Sequence, residues 1–211
     1  MDHGGGSPMF VGKRMTENVI SASPDDTLKQ AADLLAENRI HRLPVVRDGK
    51  LVGILSDSDI RNAAVRNPVP GAPDAGGKTV GEVITVTPWD TVEDAVLILQ
   101  KKRLGALPVV EGHRVVGILT KADVLAALIE TLDLEGIGVR IEVFLPRDFA
   151  AARRLVAVIG EKGIDVRSLV LAPHRDRFIA FLRLVTIDVQ AVKATLRDAG
   201  FQVAELEDYL G

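Results

Sequence analysis

Cysteine is absent from the 211 residues. Disulfides, thiol nucleophiles and thiolate-bound zinc are therefore excluded, and the chain is indifferent to the redox state of its compartment. Charge of one sign is also missing. Lys+Arg number 26 against 29 Asp+Glu, and the net −3 falls within residues 67–133, with neutral stretches on either side. No segment has the basic density that phosphate-backbone binding needs, so nucleic acid is not expected as a partner. No apolar run approaches the roughly 18 residues of a membrane span, and no membrane partner is expected. The glycine-containing start, Met1–Pro8, lacks a basic-then-apolar signal. It reads as an arm, with Met9 as a second possible start and the cytoplasm as the default location.

Catalytic and metal signatures are missing too. There is no Gly-x-Ser-x-Gly and no Gly-x-x-x-x-Gly-Lys-Ser/Thr, and His3, His41, His113 and His174 show no i, i+3 or i, i+4 spacing. Neither an enzyme nor a metal site is expected. At 47% hydrophobic and 26% charged residues, the chain has a globular composition and the length for one large domain or two to three small ones.

A repeat with a period of 64 organises the first two thirds. Pro24 and Pro88, Pro44 and Pro108, Gly53 and Gly117, and Asp59 and Asp123 all keep that offset, and residues 19–63 match 83–127 at eighteen positions without a gap. A fixed period marks a repeated supersecondary unit. Ile20–Ser23 and Ile84–Thr87 are short β-prone runs ended by proline. Asp26 and Asp90 are candidate helix N-caps, and Asp90 with Glu93 resembles a capping box. Leu28, Ala31, Ala32 and Leu35, and Val92, Ala95, Val96 and Leu99, recur at i, i+3, i+4, i+7 on one helix face. Two apolar β runs follow in each copy, Leu43–Val46 with Leu51–Leu55 and Leu107–Val110 with Val115–Leu119, split at hairpin spacing by Asp48-Gly49 or Gly112-His113. A second helix starts near Ser56 or Thr120. The unit is β-α-β-β-α, and its sheet keeps one apolar face that two copies can bury against each other. Between the copies, the prolines and glycines of Asn67–Gly77 read as a linker.

From Gly138 the pattern changes. Val139–Leu145 alternates as a strand. Ala150, Leu155, Val158 and Ile159 line a helix ended by Lys162-Gly163. Val166–Leu171 and Phe178–Val185 are strands joined across Ala172–Arg177, with a charged turn at Arg175–Arg177. Val189, Val192 and Leu196 mark a helix stopped by Gly200, and Phe201–Leu206 is a last strand. The order β-α-β-β-α-β fits a ferredoxin-like domain. The fold class is α+β.

Two tandem units carrying Leu-Pro-Val-Val and Gly-Ile-Leu-Ser/Thr-x-x-Asp resemble a pair of cystathionine-β-synthase (CBS) domains, the Bateman module, over roughly Met15–Thr131. The third segment resembles an ACT domain by topology and position, and CBS–CBS–ACT is the order of the acetoin-utilisation protein B family. Where ACT domains usually have a glycine after the first strand, this chain has Pro146–Ala150. The implied division is an N-terminal arm 1–14, CBS domains 15–66 and 79–132 around a linker 67–78, and an ACT-like domain 137–211.

Gly53–Asp59 is a strand running into a helix N-terminus, where free N–H groups and short hydroxyls suit phosphate. An acceptor-only aspartate there can take both hydroxyls of a ribose. In CBS domains this motif holds ribose and phosphate, and the resemblance gives those roles to Ser56, Ser58 and Asp59. The second corner keeps Thr120 and Asp123 but has Ala122 in place of Ser58, so weaker phosphate binding is expected there unless Lys121 compensates. The alternative is that Ser56 and Thr120 are N-caps and the aspartates suit the helix dipole. Leu43-Pro44 with Ile20-Ser21-Ala22, and Leu107-Pro108 with Ile84-Thr85-Val86, are candidate walls of an adenine slot, or else plain core. Arg39, His41 and Arg42 favour a polyphosphate at the first site, where the second copy has Arg103, Gly105 and Ala106; a solvated helix end is the competing reading.

The expectation is a non-catalytic regulatory protein that needs no cofactor and binds AMP, ADP or ATP, with S-adenosylmethionine and dinucleotide messengers sharing the adenosine. A homodimer would hide the apolar CBS faces and the third domain's sheet edge. Two alternatives stand beside it: a scaffold with empty pockets that docks onto a partner enzyme, and an amino-acid sensor acting through the ACT-like domain.

Overall fold

Proline placement decides how much strand each repeat keeps. In the computed structural model, which describes residues 9–66 and 83–209, the first strand of each copy is reduced to a single parallel bridge, Ala22 to Val45 and Val86 to Val109. The Ala22 N–H donates to the Pro44 carbonyl (2.9 Å) and the Ala22 carbonyl accepts from Val46 (2.8 Å), with the same pattern at Val86. Pro24 and Pro88 follow two residues later and cannot extend the ladder. The expected arm over Met1–Pro8 and the linker 67–78 lie outside the described residues.

Helices α2 (Leu28–Glu37) and α4 (Val92–Lys101) follow; of the expected apolar stripes, Ala31 and Leu35 and Val92, Ala95 and Leu99 are buried, and Leu28, Ala32 and Val96 are partly buried. Their caps are Thr27 and Thr91, one residue later than the expected aspartates. Asp26 and Asp90 instead close the turns ahead, accepting the N–H of Ser23 (2.7 Å) and Thr87 (2.6 Å). The partner three residues into α4 is therefore Asp94, not Glu93. Both helices end with an arginine in the left-handed region, Arg39 at φ 53° and Arg103 at φ 55°. The next N–H in each repeat, of Ile40 or Leu104, returns to the carbonyl of Leu35 or Leu99. That Schellman closure usually employs glycine.

Hairpins come next: β1 (Arg42–Arg47) with β2 (Lys50–Ser56), and β3 (Ala106–Glu111) with β4 (Arg114–Thr120). Asp48 and Gly49 both have positive φ, the requirement of a tight two-residue turn matching strand twist. Register shifts occur at Val45/Val46 and at the repeat-equivalent Val109/Val110. The hairpins join by their turn ends, Lys50 opposite Arg114, into a four-stranded sheet of order β1-β2-β4-β3. Helices α3 (Asp57–Arg66) and α5 (Lys121–Thr131) begin where β2 and β4 end.

The residues ahead of the first repeat complete the second. A single helical turn, α1 (Val11–Arg14), is tied by Val11 N–H to the Asp90 carbonyl and Gly12 N–H to that of Pro88, both at 2.9 Å. Thr16 exchanges two hydrogen bonds with Ile118 on β4. Val11 is fully buried in the core that holds Leu107, Val109 and Leu119, while the first repeat's core gathers around Leu43 and Ala31. Phe10–Thr16 thus packs as part of the second repeat, where an arm and the start of the first were expected.

The chain divides into two compact units, one through Leu128 and one from Ile129. The second contains β5 (Val139–Pro146), α6 (Phe149–Glu161), β6 (Asp165–His174), β7 (Arg177–Val185), α7 (Val189–Asp198) and β8 (Gln202–Val203). Its antiparallel sheet has the order β6-β7-β5-β8. Ile141, Val143, Leu145, Ala180, Leu182 and Leu184 face the buried sides of α6 and α7. Ala152 rather than the expected Ala150 lies on that face, because α6 starts at Phe149 and its stripe runs through Ala152, Leu155 and Ile159. Strands β6 and β7 extend to His174 and Arg177, leaving only Arg175-Asp176 as the turn. The last strand is shorter than the expected Phe201–Leu206, since Leu206–Tyr209 forms a 3₁₀ turn.

Candidate functional site

Both strand-to-helix corners fold as capping boxes. Ser56 N–H and Oγ donate to Asp59 Oδ2 at 3.0 and 2.5 Å, and the Asp59 N–H returns to Ser56 Oγ at 3.2 Å. Ser56 Oγ also meets Ser58 Oγ at 2.8 Å. Thr120 and Asp123 repeat the set at 2.7, 2.7 and 3.2 Å. Each carboxylate uses Oδ2 for the cap, and a carboxylate has about four acceptor positions, so capping does not exhaust it. The first two N–H groups of α3 lie outside the cap and remain suited to an anion, whereas in α5 the first of them, at Lys121, donates to the Gly105 carbonyl at 3.3 Å and leaves that of Ala122.

The two corners differ in what surrounds them. A cleft of about 660 Å³ within the first unit is lined from the first repeat by Ile20, Arg42, Pro44, Ser58 and Arg61, and from the second by Gly105, Ile118, Thr120 and Lys121. Thr16 and Asn18, just ahead of the first repeat, and Val19, its first residue, also line it. Four cations face this space, Arg39, Arg42, Arg61 and Lys121, against one carboxylate, Asp57. That carboxylate is already engaged by His41 Nδ1 at 2.6 Å, so the surplus is positive. Arg42 reaches across because its neighbour in the second repeat is Gly105: a Cβ there would lie 2.5 Å from Arg42 Nη2. Its guanidinium also donates to the His41 carbonyl at 2.7 Å, which fixes the reach. A smaller cavity of about 430 Å³ adjoins, sharing Arg39, His41, Asp57 and Arg61 and floored by Ala32, Leu35, Ala36 and Ile60. The second repeat has the bulkier Val96 and Gln100 where the first has Ala32 and Ala36.

Of the sequence-chosen residues, the cleft gathers Ile20, His41, Arg42, Pro44, Ser58, Thr120 and Lys121. Asp123 stands behind Thr120 as its cap partner. Ala22, Leu43, Val86, Leu107 and Pro108 have buried side chains. Ser21 is exposed, and neither it nor Ile84, Thr85, Ser56 and Asp59 lines this cleft. Arg61, Thr16 and Asn18 were not among the sequence-chosen residues. Arg61 had a usable signal, one helical turn beyond Asp57 on a helix starting at Ser56. Thr16 and Asn18 carried none, because only the pairing of Thr16 with Ile118 brings them there.

In the second unit, the sheet face away from α6 and α7 carries Arg140, Glu142, Phe144, Ile179, Phe181 and Arg183. Arg140 pairs with Glu142 at 2.6 Å and stacks over Phe181 at 4.5 Å. Tyr209 donates to Glu142, and burial together with that carboxylate pushes its phenol up to about 12. The hydrogen bond from Arg167 holds the Asp133 carboxyl below its usual range, and Lys193 does the same for Glu205. Among the described residues, no cluster of metal-ligating side chains occurs, and no helix is long and apolar enough to cross a membrane.

Comparison with known proteins places the first unit. The family model described as CBS domain matches residues 11–66 and 80–130. Among solved structures, the CBS domain pair of protein MJ0100, in complex with 5′-methylthioadenosine and S-adenosyl-L-methionine, is 29% identical with a TM-score of 0.52, covering 56% of this chain and 94% of that one. The protein CBSX2 in complex with AMP is 28% identical with a TM-score of 0.50, covering 58% and 97%. A Vibrio cholerae chain described as an acetoin utilization protein (AcuB) is 28% identical with a TM-score of 0.54, covering 61% and 96%.

Proposed function

The chain belongs to the CBS-domain family, and from that premise we propose that it is a non-catalytic regulatory protein whose inter-repeat cleft binds an adenine nucleotide. One observation carries the reading: a single cleft of about 660 Å³ joins a hydroxyl-bearing helix corner of one repeat to a cationic cluster of the other. The base rests against Ile20, Pro44 and Ile118, and the phosphates meet Arg39, Arg42, Arg61 and Lys121 near the starts of α3 and α5. Thr120, held by Asp123, faces the ribose. The adenosine-containing ligands of the MJ0100 pair and of CBSX2 support the nucleoside half of this proposal. The cationic surplus supports a phosphorylated ligand over a sulfonium, with ADP and ATP ahead of AMP.

The second unit is proposed to be ACT-like and ferredoxin-like, a reading supported by its element order and by helices confined to one sheet face. The protein is proposed to act as a homodimer in the cytoplasm. Nucleotide binding would favour one arrangement of the repeats, a shift bounded by its differential affinity for the two states.

Titration calorimetry with AMP, ADP, ATP and S-adenosylmethionine tests the function. Ligand at one hundred times Kd adds about 2.7 kcal/mol, which at this size raises the melting temperature by about 5–10 °C. No heat and no change in melting with any of the four would overturn it.

A further inference from the structure

The second unit contains a cavity of about 230 Å³ on its open sheet face, between the sheet and the connector that follows α5. Its floor is Val170 and Phe181, and Leu132 and Leu134 form its roof. The roof is laced down by polar contacts: Ser168 Oγ donates to the Leu132 carbonyl at 3.1 Å, Arg183 donates to the Leu134 and Gly136 carbonyls, and Arg167 holds Asp133 at 2.6 Å.

Two of the lining side chains are cations, and no carboxylate lines the cavity. Arg140 is balanced by Glu142. Arg183 is not balanced in the same way, for its hydrogen bonds go to carbonyl oxygens, and the nearby Asp133 is taken by Arg167. The Arg183 Nε is closed off from the cavity beside Gly138, so an anion would meet the end of the guanidinium. Hydrogen bonds to neutral carbonyls leave the charge of a guanidinium unbalanced, and an anionic acceptor is its strongest complement. The apolar floor and roof demand that the remainder of the ligand be hydrocarbon, and the volume limits it to a few carbons. An ammonium group would find no anionic partner in the lining.

We propose that this cavity is a binding site for a small branched monocarboxylate, its carboxylate on Arg183 and its alkyl group between Phe181, Val170 and Leu134. The site is independent of the nucleotide cleft and excludes the corresponding amino acid.

Calorimetry and methyl NMR on the full chain with isovalerate, isovaleramide and valine provide the test. These three share one carbon skeleton and differ in charge. Isovalerate is expected to bind, with the amide and valine at least tenfold weaker. Arg183→Gln should weaken isovalerate at least tenfold. Because Arg183 also anchors the connector, Val170→Phe serves as the second variant: it fills the cavity, keeps the charge and should abolish binding with little change in melting temperature. No binding of isovalerate by the unaltered chain, undiminished binding in Val170→Phe, or valine or the amide binding as tightly as the acid would each overturn the proposal.

Discussion

The two repeats share one backbone plan but direct different chemistry outward. At 64-residue spacing, the first has Asp33, His41, Arg42, Asp57 and Arg61 where the second has Leu97, Gly105, Ala106, Lys121 and Leu125. The shared positions are those that fix the fold: the prolines, the threonine caps, the arginines closing the first helices and the capping-box aspartates. The divergent ones divide the labour. The first repeat supplies most of the cleft's cations. The second supplies the glycine that lets Arg42 through and the Thr120 corner, and it leaves Leu97 and Leu125 about half exposed on its helices. Duplication therefore preserves what holds each unit together and frees the rest, and a single cleft built from both copies can be asymmetric.

The sharpest way to break this comparison is through Val11, which is fully buried in the second repeat's core. Val11→Asp places an uncompensated charge there, at a cost of about 3–5 kcal/mol. Hydrogen exchange should show β3 and β4 losing protection while β1 and β2 keep theirs. Equal loss in both hairpins would mean that the repeats unfold as one cooperative unit.

A smaller effect is expected at Gly105. Gly105→Val pushes against the Arg42 guanidinium, and loss of that contact should weaken nucleotide binding about tenfold, or about 1.4 kcal/mol. The fold should be spared, since the obstructing atoms are the far end of a flexible side chain. His41→Gly, the reciprocal change toward the second repeat's sequence, should leave Arg42 in place and reduce affinity far less.

The capping-box aspartates separate folding from binding. Asp59→Asn and Asp123→Asn should each cost about 1 kcal/mol of stability, because the two hydrogen-bond sets are alike. Asp123→Asn should weaken nucleotide more, by releasing Thr120, than Asp59→Asn, which reaches the cleft only through Ser56 and Ser58. An equal loss of affinity from Asp59→Asn would show that the Ser58 corner meets the ligand as closely as Thr120 does.

Legibility in the sequence followed the same division. The period of 64, the hairpin turns and the buried helix stripes were readable because local pattern and tertiary demand agree there. The caps were misplaced by one residue, since both Asp26-Thr27 and Asp90-Thr91 offer two capping side chains in a row and only backbone geometry chooses between them. The cationic cluster was readable at Arg39, His41 and Arg42, which adjoin in sequence. Arg61 carried a signal in its spacing from Asp57, but Gly105 did not, because its role exists only once the second repeat approaches β1. Leu43 and Leu107 illustrate the opposite error: beside a proline at a strand boundary they resembled a slot wall, yet both are fully buried.

The finest test compares the starts of α2 and α4. Thr27 and Gln30 form a reciprocal box, with Gln30 Oε1 accepting the Thr27 N–H at 2.8 Å and Thr27 Oγ1 accepting the Gln30 N–H at 3.2 Å. In the second repeat Asp94 accepts the Thr91 hydroxyl at 2.8 Å and brings a negative charge to the first helical turn. Gln30→Ala and Asp94→Ala should each cost about 0.5 kcal/mol, the first through a neutral hydrogen bond and the second mainly through the helix dipole. Salt distinguishes them. At 1 M ionic strength the screening length falls to about 3 Å, so the Asp94→Ala penalty should shrink toward zero while that of Gln30→Ala persists. Urea unfolding of both variants at low and high salt would reveal it, and equal salt sensitivity would mean that the two caps work by the same physics despite their different side chains.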